Sequence, residues 1–359
     1  MNSVPNGAET PTGSIALSLS ASLLESLKKA PFEGQVATVS RKAANLLDPQ
    51  GQVISLVAPE VGNGPFSIVL PPSAWGSALL QPGDAVRADH RWLRLPEQWI
   101  DLRQARSWSA KLSLPYRYHR LPRAFRLSVD RELRPFAAWP SPLAVPPTSA
   151  PSTSAPSTPE VRRTPPRLWQ APLKRAADDL QRALAAGQQG LEQAVEQLIG
   201  LGPGLTPSGD DYLLGTMVAV ALLNPERSSH GRATTAAEKG TQESQGKNLE
   251  NNLNAAVLAR LDAGAPGRRT STTALSAAFL VAASRNEVSE PWHDLLDAMA
   301  TGCLEDLPHH LEALESKGAS SGRDALAGFA QTLLGDHSFA SKNHSLQASK
   351  ASPAVVATS

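Results

Sequence analysis

The sequence predicts an α+β protein: a β-rich N-terminal part followed by a mostly α-helical C-terminal part. Three observations carry that prediction. Short runs rich in Val, Ile and Phe, separated by Gly- and Pro-containing turns, occupy the first third of the chain. A Pro/Ser/Thr/Ala-rich stretch, 139–167, then interrupts the pattern. Beyond it apolar residues recur at helical spacing, and two segments, Ser208–Gly215 and Ser321–Gly328, both read Ser-Gly-x-Asp-x-Leu-x-Gly.

Taken in order, residues 1–15 are polar and expected to be disordered. Leu17, Leu19, Leu23, Leu24 and Leu27 predict a short helix over Ala16–Ala30. The period then changes: Val36–Val39, Val53–Val57 and Phe66–Leu70 read as strands, with turns at Asp48-Pro49-Gln50-Gly51 and Gly62-Asn63-Gly64-Pro65. Ala85–Ala88 and further β-like pieces continue as far as Leu127, giving a β-rich domain over 16–138. The stretch 139–167 has too few large apolar residues to offset its ordering entropy and reads as a linker. Helices follow at Pro172 to about Ala186 and at Gly190–Ile199, and a buried helix at Tyr212–Leu223 is stopped by Asn224-Pro225. The polar segment 228–252 reads as a disordered insert. Leu253–Leu261, Thr272–Ala283, Pro291–Ala300 and Leu304–Ser316 complete a helical domain over 168–335, and 336–359 reads as a disordered tail.

Composition narrows the function classes. A formal net charge of +1 on 359 residues gives no global reason to expect nucleic acid or a membrane surface. Between Arg87 and Arg134, twelve Lys or Arg face five acids, with Tyr116, Tyr118, His119 and Phe125 interleaved. Without a recognisable nucleic-acid motif, a solvated arginine-rich face or a subunit interface explains that run better. Tyr212–Leu223 is short of the ~20 apolar residues a bilayer requires. Ser14–Leu24 lacks the preceding basic residues of a signal peptide. Cys303 is alone, which excludes an internal disulfide, fits a reducing cytoplasm, and reads as a buried structural thiol.

The densest chemistry lies between Gly200 and Gly215. Gly202, Pro203, Gly204 and Pro207 make a shaped loop, Thr206 and Ser208 add hydroxyls, and Gly209 precedes the paired acids Asp210 and Asp211. Ser208 with Asp211, and Ser321 with Asp324 after Gly322 and Arg323, form S-x-x-D helix starts. Each predicts an N-capping serine and an acid in the first turn. A glycine inside a helix costs roughly 1 kcal/mol against alanine, so Gly215 and Gly328 predict two helices in close contact, a pseudo-symmetric pair whose N-termini face one pocket.

Gly202–Asp211, the apolar helix after it and Ser321–Asp324 together resemble a bacterial family of largely uncharacterised proteins. That family includes the AllH subunit of oxamate carbamoyltransferase. The resemblance runs over about residues 20 to 335 and is strongest at 200–215. It implies a part in carbamoyl transfer between oxamate and phosphate in anaerobic allantoin degradation, with partner subunits completing the enzyme. It also matches recurrent positions at Asn45-Leu46 and Gly64-Pro65, placing Asn45 and Gly64 near the substrate.

Helix N-termini carry partial positive charge, so paired ones suit a small carboxylate or phosphate. Thr206, Ser208 and Ser321 would add hydroxyl partners, and Arg323 could grip a substrate carboxylate in a fork. Asp211 reads as a cap for its own helix. Asp210, which capping does not require, is the better acid, base or ligand. Magnesium takes one or two carboxylates plus substrate phosphate oxygens, so the loop could take a bridging Mg²⁺, but the sequence assigns no metal ligand and leaves the cofactor open. No histidine or lysine nearby in sequence activates a covalent nucleophile. A non-catalytic ligand-binding or scaffold subunit is the alternative.

Overall fold

The computed structural model describes residues 13–77, 80–113, 118, 121–139, 168–186, 189–223, 242–262 and 272–335. Expectations for 1–12, for the linker beyond Trp139, for 228–241 and for the tail 336–359 lie outside these residues. The chain enters as β1 (Ser14–Ile15) and β2 (Ser18–Ser20), followed by α1 (Ala21–Lys29). The helix expected from Ala16 therefore starts five residues later. Ser20 Oγ accepts from Leu23 N at 3.4 Å and caps α1, while the residues ahead of it pair with other strands.

Next come β3 (Phe32–Val39), β4 (Ala43–Leu47), β5 (Val53–Val57), β6 (Ser67–Val69), α2 (Pro72–Ser77), β7 (Ala85–Ala88), β8 (Trp92–Arg94), β9 (Trp99–Asp101) and β10 (Arg106–Trp108). Burial in β3 alternates along the strand, whereas β5 is buried throughout. The strands order as β1-β9-β8-β7-β3-β4-β5-β6-β2-β10. Only Ala16 and Leu17 separate β1 from β2, although these strands lie towards opposite ends of that order. Ala16 N donates to Asp101 O at 3.0 Å and Leu17 N to Val69 O at 2.9 Å. Two consecutive residues thus tie β9 to β6, and the sheet curls until its ends meet. Leu19, Leu23, Phe32, Leu46, Leu56, Ile68 and Leu93 fill the interior.

The β-like reading up to Leu127 is corrected by α3 (Arg123–Ala137). Val129, Leu133 and Phe136 are its buried residues, a helical rather than alternating spacing. This helix packs on the helical body with α4 (Gln170–Ala185), α5 (Leu191–Leu198), α6 (Ser208–Leu223), α7 (Gln242–Leu261), α8 (Ala274–Ser284), α9 (Glu290–Thr301), α10 (Leu307–Glu315) and α11 (Ser321–Leu334). Helix α7 takes in 242–252, expected to be disordered; Leu253 and Val257, four residues apart, anchor it in the core. Cys303 is exposed, not buried, because α9 ends at Gly302 and leaves the thiol in the following connection.

All of α6 except Leu214 and Leu223 is buried. One face packs Tyr212, Leu213 and Met217 against Leu173, Leu180, Val195 and Leu198. The other packs Val218 and Leu222 among Trp292, Phe329 and Leu333. At about 1.5–3 kcal/mol per large apolar side chain buried, this helix is the axis of the body. The sheet docks on it through the turn at 61–64. Asn63 N and Nδ2 donate to Glu290 Oε2 at 2.8 and 2.9 Å, Lys317 Nζ donates to Val61 O at 2.6 Å, and Phe66 meets Phe279 with ring centroids 4.7 Å apart.

Candidate functional site

The loop between α5 and α6 is built on glycines at positive φ. At Gly202, φ is 121° and a Cβ would press on Ser208 N, so no larger residue fits. Asp210 braces this loop from below. Its Oδ1 accepts from Gly200 N at 2.8 Å, and its Oδ2 accepts from the hydroxyls of Ser276, at 2.6 Å, and Thr272. Thr273 Oγ1 also donates to Leu205 O at 2.5 Å, tying α8 to the loop tip. Burial pushes the Asp210 carboxyl up, and these three donors oppose the rise. Both oxygens of Asp210 are therefore occupied within the fold.

The second element comes from a crossing of α6 and α11 related by local two-fold pseudo-symmetry. A Cβ on Gly215 would collide with the Ala325 carbonyl, and one on Gly328 with the Tyr212 carbonyl. Ala325 lies three residues before Gly328, as Tyr212 does before Gly215. The correspondence extends outward: a Cβ on Gly209 would strike the carbonyls of Leu198 and Leu201, and one on Gly322 those of Leu314 and Glu315. In each half, the end of the preceding helix lies on the glycine of a Ser-Gly start.

Neither serine caps its own helix as expected. Ser208 and Ser321 are the first residues of α6 and α11, and the N-cap of α11 is Ser320, without a side-chain capping bond. The serines serve the opposite helix instead. Burial raises Asp211 and Asp324, and the hydroxyl of Ser321 opposes the rise at Asp211 as that of Ser208 does at Asp324. Thr206 joins the first set, its Oγ1 lying 2.6 Å from Ser321 Oγ.

The carboxyls of Asp211 and Asp324 are 8% and 5% exposed, and neither Oδ2 has a donor in good hydrogen-bond geometry. Burial raises both groups, Asp211 well above the usual carboxylate range; the charge of Asp324 pushes Asp211 further, and Ser321 and Thr206 oppose the rise. Asp324 has a fixed donor that Asp211 lacks. Trp139 Nε1 donates to its Oδ1 at 2.5 Å, and the indole stacks on Tyr212 at 4.9 Å.

Other expected residues are placed elsewhere. Asn45 bonds inside the sheet, donating to Thr38 Oγ1 at 2.9 Å and accepting from Ser55 Oγ at 2.6 Å. Gly64 donates to Ser67 Oγ at 2.7 Å in the turn next to Asn63. Gly204, at φ 103°, lies in the exposed part of the loop beside Leu205. Arg323 is part-exposed and reaches Glu315 at 3.5 Å. The first amides of α6 are partly spent: Gly209 N donates to Leu201 O, and Asp210 N and Asp211 N to Pro207 O. The part-exposed groups at this end of the crossing are therefore the Thr206 and Ser321 hydroxyls and Arg323. Sequence reasoning missed Ser276, Trp139 and Lys317. Lys317 lies four residues before Ser321, and burial and neighbouring Lys42 lower its amine. Among the described residues no group of three or more His, Cys, Asp or Glu could hold a metal ion.

Residues 198–333 match the family model described as oxamate carbamoyltransferase subunit AllH, and 15–107 match the AllH family N-terminal domain. The chain belongs to the AllH family. No curated protein and no solved structure matches it. The first AllH match contains α6, α11 and the glycine loop, and the second contains nearly the whole curled sheet. Membership is consistent with a carbamoyltransferase-like enzyme subunit. No helix among the described residues is long and apolar enough to cross a membrane.

Proposed function

We propose that the chain is a cytoplasmic subunit of a carbamoyltransferase-like enzyme whose small-anion site lies at the mouth of the paired Ser-Gly starts. The observation that carries this reading is the 2.6 Å contact between Thr206 and Ser321. It brings two distant segments of the AllH match together over a buried carboxyl. Thr206 and Ser321 are part-exposed, as is Arg323, so a carboxylate or phosphate could approach all three. In this reading the substrate pair is the one named for the family, a small carboxylate amide such as oxamate and a carbamoyl group on phosphate. Other subunits complete the enzyme, in the setting of allantoin breakdown.

The test is thermal stabilisation of the purified chain by oxamate, carbamoyl phosphate, phosphate and Mg²⁺, singly and together. A ligand that binds only the native state adds about 2.7 kcal/mol at a hundredfold excess over Kd. The shift should disappear in Arg323→Ala and weaken in Thr206→Val. Shifts that both variants retain would move the site elsewhere.

A scaffold role is favoured by a different observation. Asp210 spends one oxygen on the loop and the other on Thr272 and Ser276, and Leu205 stands 50% exposed at the loop tip, where a partner could cover it. Leu205→Asp should then abolish co-purification with partner subunits, while ligand-induced shifts of the isolated chain persist.

A further inference from the structure

The arginine-rich run that begins at Arg87 has no part in the anion site, and the curled sheet shows where its first half goes. Residues paired across strands share a face of the sheet. The pairing therefore builds two adjacent rows, Ile15–Asp101–Trp92 and Trp99–Arg94–Arg87–Glu33, across β1, β9, β8, β7 and β3. Leu93 and Ile100, which alternate with these residues, are buried in the interior, so both rows lie on the outer face. There Trp92 and Trp99 meet edge to face, with ring centroids 6.3 Å apart. The Arg103 guanidinium lies over Trp92 at 4.5 Å and that of Arg94 over Trp99 at 5.3 Å. Ile15 is 45% exposed, and Leu17, two residues along the same strand, is 48% exposed.

The acids near these rows are already engaged. Glu33 pairs with Arg87 at 3.2 Å, Asp101 with Arg103 at 2.7 Å, and Asp89 accepts from the amides of Arg91 and Trp92. Glu97 is the exposed acid of the turn between β8 and β9. Arg94 makes no ion pair among the described residues, and Arg91 and Arg106 are exposed at the borders of the face. Cations held over indoles, next to exposed aliphatic side chains, form the Trp- and Arg-rich composition that dominates protein–protein contacts. We propose that this outer face docks an acidic segment of another polypeptide, its carboxylates on Arg94 and the neighbouring arginines and its apolar side chains over Ile15, Leu17 and the two indoles. Single-stranded nucleic acid fits the face less well, because its bases stack on open aromatic rings and here a guanidinium lies over each indole. This docking face is independent of the anion site at Thr206 and Ser321.

The probe is a phage-displayed library of random dodecapeptides selected on the immobilised full chain, the recovered peptides then being synthesised and their affinity measured by fluorescence anisotropy. The recovered sequences should be enriched in Asp or Glu next to large apolar residues. Their affinity should fall about tenfold or more in Arg94→Glu, fall in Ile15→Ser/Leu17→Ser, and weaken as salt is raised. Arg323→Ala should bind them as the wild type does, which separates this face from the anion site. If Arg94→Glu is not folded by circular dichroism, Arg94→Ala takes its place. Recovered peptides without acidic enrichment overturn the proposal, as does an affinity that survives the Arg94 substitutions or is lost in Arg323→Ala. Tight binding of an oligothymidylate that Arg94→Glu abolishes, with no acidic peptide recovered, would make the face a nucleic-acid surface instead. A dimer in sedimentation that Leu17→Ser dissolves would give the face to a second copy of the chain and equally overturn it.

Discussion

Asp211 and Asp324 hold equivalent places in two crossed helices, and the comparison of their surroundings is instructive. Each lies three residues after the serine that opens its helix, and for each the serine hydroxyl of the other helix opposes the rise that burial imposes. The halves then diverge. Asp324 is anchored: Trp139 donates to it, Tyr212 stacks on that indole, and Gln181 and Gln331 hold the Tyr212 hydroxyl at 2.8 and 2.6 Å. Asp211 meets the part-exposed pair Thr206 and Ser321, with no indole on its oxygens. One copy of a duplicated motif is therefore fastened, and the other is left with exchangeable partners.

The largest expected effect strikes both halves equally. Gly215→Ala and Gly328→Ala each drive a methyl into a backbone carbonyl of the other helix, which cannot move as a side chain would. Overpacking of this kind costs roughly 1–3 kcal/mol, and these sites should fall at the upper end. Urea denaturation of the two variants checks it. Near-equal losses, less than additive in the double variant because both relax the same crossing, would support the pseudo-two-fold. A large loss at one glycine alone would break it.

Trp139→Phe separates the halves. It keeps a ring to stack on Tyr212 and removes the donor to Asp324, leaving a second unsatisfied oxygen at a cost of about 1–3 kcal/mol. Thr206→Val on the opposite half should cost less than about 1 kcal/mol, because Ser321 still serves Asp211. Equal costs measured by denaturation would remove the distinction between an anchored and an unanchored carboxyl.

The pH dependence sharpens the comparison further. Both carboxyls are raised above the usual carboxylate range by burial, so the folded state holds protons that the unfolded state has released. Their contribution is favourable at low pH and is lost as pH rises through the folded values, by at most about 1.4 kcal/mol per pH unit for each group. Asp101 acts in the opposite sense, since Arg103 lowers it, so the informative quantity is the difference between variant and wild type. Asp324→Asn should flatten the fall twice over: it removes one titrating group and relieves Asp211 of a neighbouring charge. Asp211→Asn should remove its own contribution. Stability curves for either variant parallel to the wild type would show that the carboxyl ionises as freely in the folded protein as in the unfolded one.

Much of this arrangement was legible in the sequence. The α+β class followed from the change in hydrophobic period, and the close helices from Gly215 and Gly328, because mid-helix glycine is hard to explain otherwise. What escaped has a physical reason. Pairing of 14–20 with distant strands overrode a leucine-rich helical pattern, and α3 lay hidden in an arginine-rich run whose buried residues are few. Trp139 stands at the edge of the Pro-rich stretch, and its partner Asp324 is 185 residues away. Ser276 meets Asp210 across 66 residues. Such contacts leave no local spacing to read. The S-x-x-D pattern pointed to local caps because residues three apart usually do bond locally; here the crossing is tight enough for the opposite helix to take the serine.

Arg323 provides the smallest effect on stability and a sensitive test of which half faces a ligand. It stands where Asp210 stands in the other half, yet it is part-exposed and pairs with Glu315 at 3.5 Å. An ion pair of that kind contributes about 0–1 kcal/mol, so Arg323→Ala should barely change the denaturation midpoint. Arg323 also lowers Asp324 slightly, so the variant should make Asp324 a little harder to ionise while leaving Asp211 to its own neighbours. If the anion site is at the mouth formed by Thr206 and Ser321, the same substitution should abolish stabilisation by phosphate or oxamate, giving a variant that is folded and unresponsive. Arg323→Lys should restore part of the response, because it keeps the charge and loses the two-pronged geometry. A fully responsive Arg323→Ala would place the anion away from α11 and leave Lys317, at the seam with the sheet, as the cation to remove next.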